Sequence, residues 1–203
     1  MLLDHSKVPA DIFKNKHILD IGCGRNKLPG TVGLDHNTYD GVDIVANIEE
    51  PLPISSATFD LVFANQILED VHNFTPLIME IHRILKPGGQ LLAHVPYFRS
   101  SWAHIDPTHV RYFTLEGLDY YVQGTWLFDE YRFSDKSYSR IDKFLDTEYT
   151  STLSRRIFTS LALKYPRRFE NSAWSFVYPF EQLSFYVNKV MNCFPDHLVG
   201  HNL

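Results

Sequence analysis

The chain has 203 residues, enough to bury one full core and too few for two comfortable domains. Its 44% hydrophobic and 21% charged residues describe an ordinary globular protein, and its net charge of −5 leaves no footprint for nucleic acid. No apolar run approaches the roughly 18 residues of a membrane span, residues 1–16 lack the pattern of a signal peptide, and Cys23 and Cys193 make neither a disulfide framework nor a zinc spacing, so a cytoplasmic protein with reduced thiols is expected.

Short apolar runs bounded by turn residues predict buried parallel strands at 17–21, 31–35, 42–46, 59–64 and 90–95. The clearest helix is expected over 76–86, with Thr75 as N-cap, Pro76 in the first turn and an apolar stripe of Leu77, Ile78, Ile81, Ile84 and Leu85. Pro87-Gly88-Gly89 ends it and leads into a strand, as in the second half of a βαβ crossover. Further on, residues 114–122 and 154–165 read as helices, and 139–147 and 182–191 as strands. Only five of the 29 aromatic residues precede Pro96. The first part therefore reads as a nucleotide-type core (17–96), and the remainder (97–203) as a bulkier substrate-side part with an insertion around 150–180.

Ile18-Leu19-Asp20-Ile21-Gly22-Cys23-Gly24 is a strand entering a Gly-x-Gly turn, where glycine lets the backbone approach a ligand. Asp35 closes the next strand, placed to bind both hydroxyls of an adenosine ribose. Such a turn alone is equally a structural strand-to-helix connection. A dinucleotide oxidoreductase would use similar parts but calls for Gly-x-Gly-x-x-Gly, and Lys27 stands at the third position.

Leu19-Asp20-Ile21-Gly22-Cys23-Gly24, Gly33-Leu34-Asp35, the run from Phe59 to Asn65, and Leu85-Lys86-Pro87-Gly88-Gly89-Gln90-Leu91 together resemble the ordered motifs of class I S-adenosylmethionine-dependent methyltransferases. The resemblance implies a Rossmann-like α/β fold with a mainly parallel seven-stranded sheet flanked by helices, and S-adenosylmethionine at the carboxyl ends of its strands. It implies Gly22 and Gly24 beside the methionine moiety, Asp35 at the ribose, Asn47 at the adenine, and Asn65 and Gln66 near the amino group and sulfonium, with Cys23, His36 and Ile48 as further cofactor contacts. Asp20 would hold the glycine loop. Two departures stand out: Asn26 replaces a glycine, and Asp70 stands where many relatives carry histidine. Only ten residues, Arg25 to Leu34, separate Gly24 from Asp35, so Lys27-Leu28-Pro29-Gly30 replaces the usual helix with a compact loop, as in a subset of small methyltransferases.

Asp-Pro-Thr-His-x-Arg, within residues 104–114, recurs in that subset. His109, His104 and Asp106 are candidate proton-handling groups, and Arg111 and Trp102 candidate acceptor contacts. A structural turn at Asp106-Pro107 is the competing reading, and a metal site from His104, Asp106 and His109 the weakest, because the spacing fits no known geometry. His82 and His94 fit structural positions. The aromatics Trp102, Tyr112, Phe113, Tyr120, Tyr121, Trp126 and Trp174 read either as a lid over the acceptor or as core and a homodimer face. Arg155, Arg156, Lys164, Arg167 and Arg168 form an acid-free basic stretch that suits phosphate or is simply a solvated face, with Phe158, Leu161 and Leu163 allowing surface contact with a membrane. The expected function is methyl transfer to a small-molecule or glycan-type acceptor. A catalytically silent cofactor-binding protein of the same fold is the alternative.

Overall fold

The computed structural model describes residues 12–132, 134, 136–146, 153–177 and 180–190. Seven strands form one sheet: β1 (Ile18–Ile21), β2 (Val32–Asp35), β3 (Ile44–Val45), β4 (Phe59–Asn65), β5 (Leu85–Pro96), β6 (Tyr138–Asp146) and β7 (Gln182–Lys189). Their spatial order is β3-β2-β1-β4-β5-β7-β6. Only β7 runs against its neighbours, pairing antiparallel with β5 and β6. The order reverses between β1 and β4, and the carboxyl ends of strands at such a reversal form a crevice.

Side chains alternate across the central strands as a pleat requires. Leu19, Ile21, Val62, Ala64, Leu91 and Ala93 face the main core. Ile18, Leu61, Phe63 and Leu92 face a smaller cluster closed by Ile12 and Phe13. The main core is capped by α1 (Phe74–Ile84), which buries Leu77, Ile78, Ile81 and Ile84 at helical spacing. The helix starts two residues earlier than Pro76, and Thr75 is bonded to the Tyr121 hydroxyl rather than capping. Its last carbonyls are satisfied by Lys189, whose Nζ donates to the His82 and Leu85 oxygens. Lys86-Pro87-Gly88-Gly89 bulges out of β5, since Phe59 pairs with Leu85 and Leu61 with Gln90.

Other expectations need correcting. Residues 114–122 form turns and a 3-10 turn at Asp119–Tyr121, not a helix. The third strand shrinks to Ile44–Val45. Residue 147, residue 191 and Cys193 lie outside the described residues. Beyond β5 come α2 (Trp102–Ile105), α3 (Trp126–Tyr131), and, between β6 and β7, α4 (Leu153–Lys164), α5 (Pro166–Glu170) and α6 (Trp174–Val177). No helix among the described residues is long and apolar enough to cross a membrane.

Candidate active site

The glycine turn follows β1 directly. Gly22 and Gly24 have φ of +70° and +53°, in the left-handed region that disfavours a Cβ. At Gly22 a Cβ would also lie 2.9 Å from the Cβ of Ile67, because the chain leaving β4 presses on the turn. The N–H groups of Gly22 and Cys23 both donate to the Leu34 carbonyl at 2.8 and 3.1 Å, tying the turn to β2. Asp20, buried at the centre of the sheet, accepts from the Leu28 N–H at 2.7 Å and so holds the loop that replaces a helix. Its burial pushes its carboxyl above the usual range. Asp43 fixes the same loop from the other side, accepting from Lys27 Nζ at 2.8 Å and from the Gly33 N–H at 2.7 Å.

Asp35 ends β2 almost fully buried. One carboxylate oxygen accepts from the Gly24 N–H at 2.9 Å and the other from the Asn37 N–H at 2.8 Å, with His36 Nδ1 at 3.5 Å. Each oxygen keeps a lone pair for a further donor. Asn65 ends β4 on the opposite flank of β1, and its Oδ1 is buried with no hydrogen-bond partner among the described residues. Gln66 follows with φ of +53° and lies exposed. Asn47 is also exposed; its side-chain oxygen accepts from the Glu49 N–H at 3.0 Å and its amide nitrogen donates to Glu50. Ile48, beside it, is half-buried and packs on the main core. Burial, reinforced by the Asp20 and Asp35 carboxylates, pushes the Cys23 thiol up to about 11. Cys23 is therefore no nucleophile at neutral pH.

The segment after β5 lies over the turn that follows β4. The N–H groups of Val110 and Arg111 donate to the Glu69 carbonyl at 2.9 and 3.0 Å. His109 Nδ1 lies 3.1 Å from the Ala103 carbonyl, which assigns the proton to Nδ1 and leaves a lone pair on Nε2. That Nε2 is 4.0 Å from Oε1 of Glu69. Glu69 is 1% exposed, and both its carboxyl oxygens lack hydrogen-bond partners among the described residues. Burial raises its carboxyl to about 8, so it is protonated at neutral pH. Sequence reasoning passed over Glu69: it stands beside a second acid, Asp70, between Leu68 and Val71, and nothing local marks which of the two is buried.

The other predicted residues are spread out. His104 is exposed, bonded through Nε2 to the Phe98 carbonyl at 2.9 Å and stacked on Tyr112. Asp106 accepts from the N–H and hydroxyl of Thr108, which hold its carboxyl below the usual range. Arg111 donates to the carbonyls of Val71 and His72 and lies over the Phe74 ring. No three potential metal ligands converge among the described residues. The aromatics divide: Phe113 and Tyr121 are core, while Trp102, Tyr112, Trp126 and Trp174 are exposed. His82 and His94 are buried structural residues, His82 edge-on to Tyr138 and His94 bonded to Ser184. Burial of Glu170 between the Tyr97 hydroxyl (3.2 Å) and the Leu115 N–H (2.8 Å) was likewise not anticipated.

Residues 29–93 match a family model described as a methyltransferase domain. A SAM-dependent methyltransferase from Archaeoglobus fulgidus is similar in structure (TM-score 0.54, 17% identity, 86% of each chain covered). The YcgJ protein of Bacillus subtilis is similar (TM-score 0.52, 15% identity, 86% of this chain and 92% of that one). The chain has the class I methyltransferase fold. Among curated relatives, a sterol 4-C-methyltransferase of Caenorhabditis elegans is 26% identical over 57% of this chain and 41% of its own length. A malonyl-[acyl-carrier protein] O-methyltransferase of Enterobacter lignolyticus is 35% identical over 37% of this chain and 33% of its own. The chain thus matches well under half the length of these relatives. Within the methyltransferase fold, Asp35 and Asn65 flank the glycine turn at the sheet's point of reversal.

Proposed function

We propose that the protein is an S-adenosylmethionine-dependent methyltransferase acting on a small-molecule acceptor. The observation that carries this reading is the pair of acceptors flanking the glycine turn: the Asp35 carboxylate on one side and, on the other, the buried Asn65 Oδ1, which has no partner among the described residues. Those groups suit a ribose diol and an ammonium, and the matched methyltransferase domain spans both positions. Gly22, Cys23 and Gly24 would line the methionine moiety, with His36 beside the ribose and Asn47 and Ile48 at the adenine. The cofactor supplies a methyl group already activated on a sulfonium. What remains for the protein is alignment of the acceptor and removal of its proton. The Nε2 lone pair of His109 is the group for that proton, and the rings of Trp102 and Tyr112, each 53% exposed, give the acceptor an apolar face. Arg111 orders the segment through its two backbone carbonyls and keeps one terminal nitrogen for an anionic group. The sterol and acyl relatives favour a lipophilic small molecule over a glycan.

Calorimetric titration with S-adenosylmethionine and S-adenosylhomocysteine, with NAD as control, tests the cofactor. Binding of both sulfur nucleotides is expected, and Asp35→Ala weakens it about tenfold or more, since each hydrogen bond to a charged group contributes about 1.5–3 kcal/mol. Equal affinity in the variant, or binding of NAD alone, would overturn the reading. The helix-free link between β1 and β2 favours one second reading, a cofactor-binding protein without catalysis. Transfer of a labelled methyl group to a screened acceptor separates the two.

A further inference from the structure

The basic stretch noted in the sequence folds into α4, α5 and α6, which are not used by the site described above. On α4, Ile157, Leu161 and Lys164 recur at i, i+4 and i+7 and share the exposed face, with the two aliphatic side chains 50% and 43% exposed. Trp174 packs beside Phe158 of α4 with ring centroids 5.1 Å apart, yet remains 55% exposed. Phe176 and Val177 follow at 66% and 61%. The same helices α4 and α5 carry Arg156, Lys164 and Arg168, all exposed and none paired with an acid among the described residues. Arg167 is held by Glu116 at 2.8 Å and lies over the Trp126 ring, closing a groove of about 270 Å³ between Tyr165 and Trp126.

We infer that α4–α6 form a docking surface for an anionic phospholipid bilayer. Cations without acid partners on this face would repel their own counterparts across a two-fold contact between copies, so the face is complementary to an anionic surface. Exposed Trp and Phe with aliphatic groups among Arg and Lys match the interfacial zone, where apolar side chains enter the headgroup boundary and cations meet phosphate. Ile157, Leu161 and Val177 would be idle against single-stranded RNA, whose bases stack on aromatic rings.

The surface is tied to the mouth of the site. Glu170, the last residue of α5, holds Tyr97 and Leu115, and Arg99 bridges from the Glu170 carbonyl to the Phe176 ring, 3.8 Å away. Docking would therefore bring the segment after β5 towards the bilayer, where a lipophilic acceptor resides; this consequence rests on the methyltransferase reading, while docking itself does not.

The full chain is tested by co-sedimentation with vesicles of phosphatidylcholine alone and of phosphatidylcholine mixed with phosphatidylglycerol. Binding to the anionic vesicles only, weakened by salt, is expected. The triple variant Arg156→Glu, Lys164→Glu, Arg168→Glu should lose at least about a hundredfold in partitioning, at about fivefold per charge. Trp174→Ala with Phe176→Ala should lose binding and the blue shift of tryptophan fluorescence. Unchanged thermal melting of both variants shows that folding is intact. Absence of binding to anionic vesicles, or binding indifferent to charge reversal, overturns the inference. So does a shift of single-stranded RNA in place of vesicles, or a dimer in light scattering that the triple variant dissociates. Because the readout is not activity, failure of docking and failure of the methyltransferase reading are distinguishable.

Discussion

Glu69→Gln isolates one buried carboxyl. Glu69 is 1% exposed, with no hydrogen-bond partner on either oxygen among the described residues and His109 Nε2 at 4.0 Å. Burial lifts its titration from the ordinary 4.5 to about 8. Between these values the native protein retains a proton that the unfolded chain has released, so the contribution of Glu69 is fully present below pH 4.5 and lost as pH rises through about 8. The slope is about 1.4 kcal/mol per pH unit, or about 5 kcal/mol over the whole window. Glutamine has the same shape and no charge to bury. Wild type and Glu69→Gln should therefore be equally stable in urea unfolding near about pH 5 and diverge towards about pH 9, the variant being several kcal/mol more stable there. The other buried acids, Asp20, Asp119 and Glu170, are common to both proteins and cancel in the difference. Parallel stability curves across this range would refute the reasoning, because they would mean that Glu69 ionises in the native state at no cost.

Two further outcomes follow from the site. Gly24→Ala meets open space and carries only the left-handed backbone cost of about 1 kcal/mol, whereas Gly22→Ala bears the same cost and also collides with Ile67, so the drop in melting temperature and in cofactor affinity should be larger for Gly22→Ala; equal effects would mean that Ile67 moves aside freely. His109→Ala should lower turnover about a hundredfold or more while leaving cofactor affinity within a few-fold, and an unchanged rate with the true acceptor would remove His109 from the chemistry.

The sheet was legible because its inner strands are buried on both faces and read as unbroken apolar runs, and α1 because its stripe has one period. The misreadings have local causes. Leu115, Leu118 and Val122 are spaced like a helix and are all buried, but their segment is held from outside: the Leu115 N–H by Glu170, the Tyr121 hydroxyl by Thr75, and Val122 by a bridge to Tyr138. Helical spacing of apolar residues is also what a run of turns on a core surface produces. The third strand is cut short because the Asp43 side chain takes the Gly33 N–H, a bond the ladder would otherwise use. Glu69 was invisible for a different reason: what buries it is the chain of residues 109–111, some forty positions away.

The link between β1 and β2 shows how the site is built with fewer elements. Parallel neighbours ordinarily need a crossover of a dozen or more residues with a helix to cover the sheet and satisfy the backbone. Here ten residues, Arg25 to Leu34, separate Gly24 from Asp35, and three carboxylates supply the missing order. Asp20 takes the Leu28 N–H, Asp43 takes the Gly33 N–H together with the Lys27 ammonium, and Asp35 takes the Gly24 and Asn37 N–H groups. Two of these acids fix the loop and the third remains open to a further donor. Asp20 stands near the middle of the sheet with its charge desolvated, a cost that only its bond to Leu28 and the nearby Lys27 offset. The same residue type thus serves as scaffold at Asp20 and Asp43 and keeps lone pairs open at Asp35, and what separates these positions is which lone pairs the backbone leaves unclaimed.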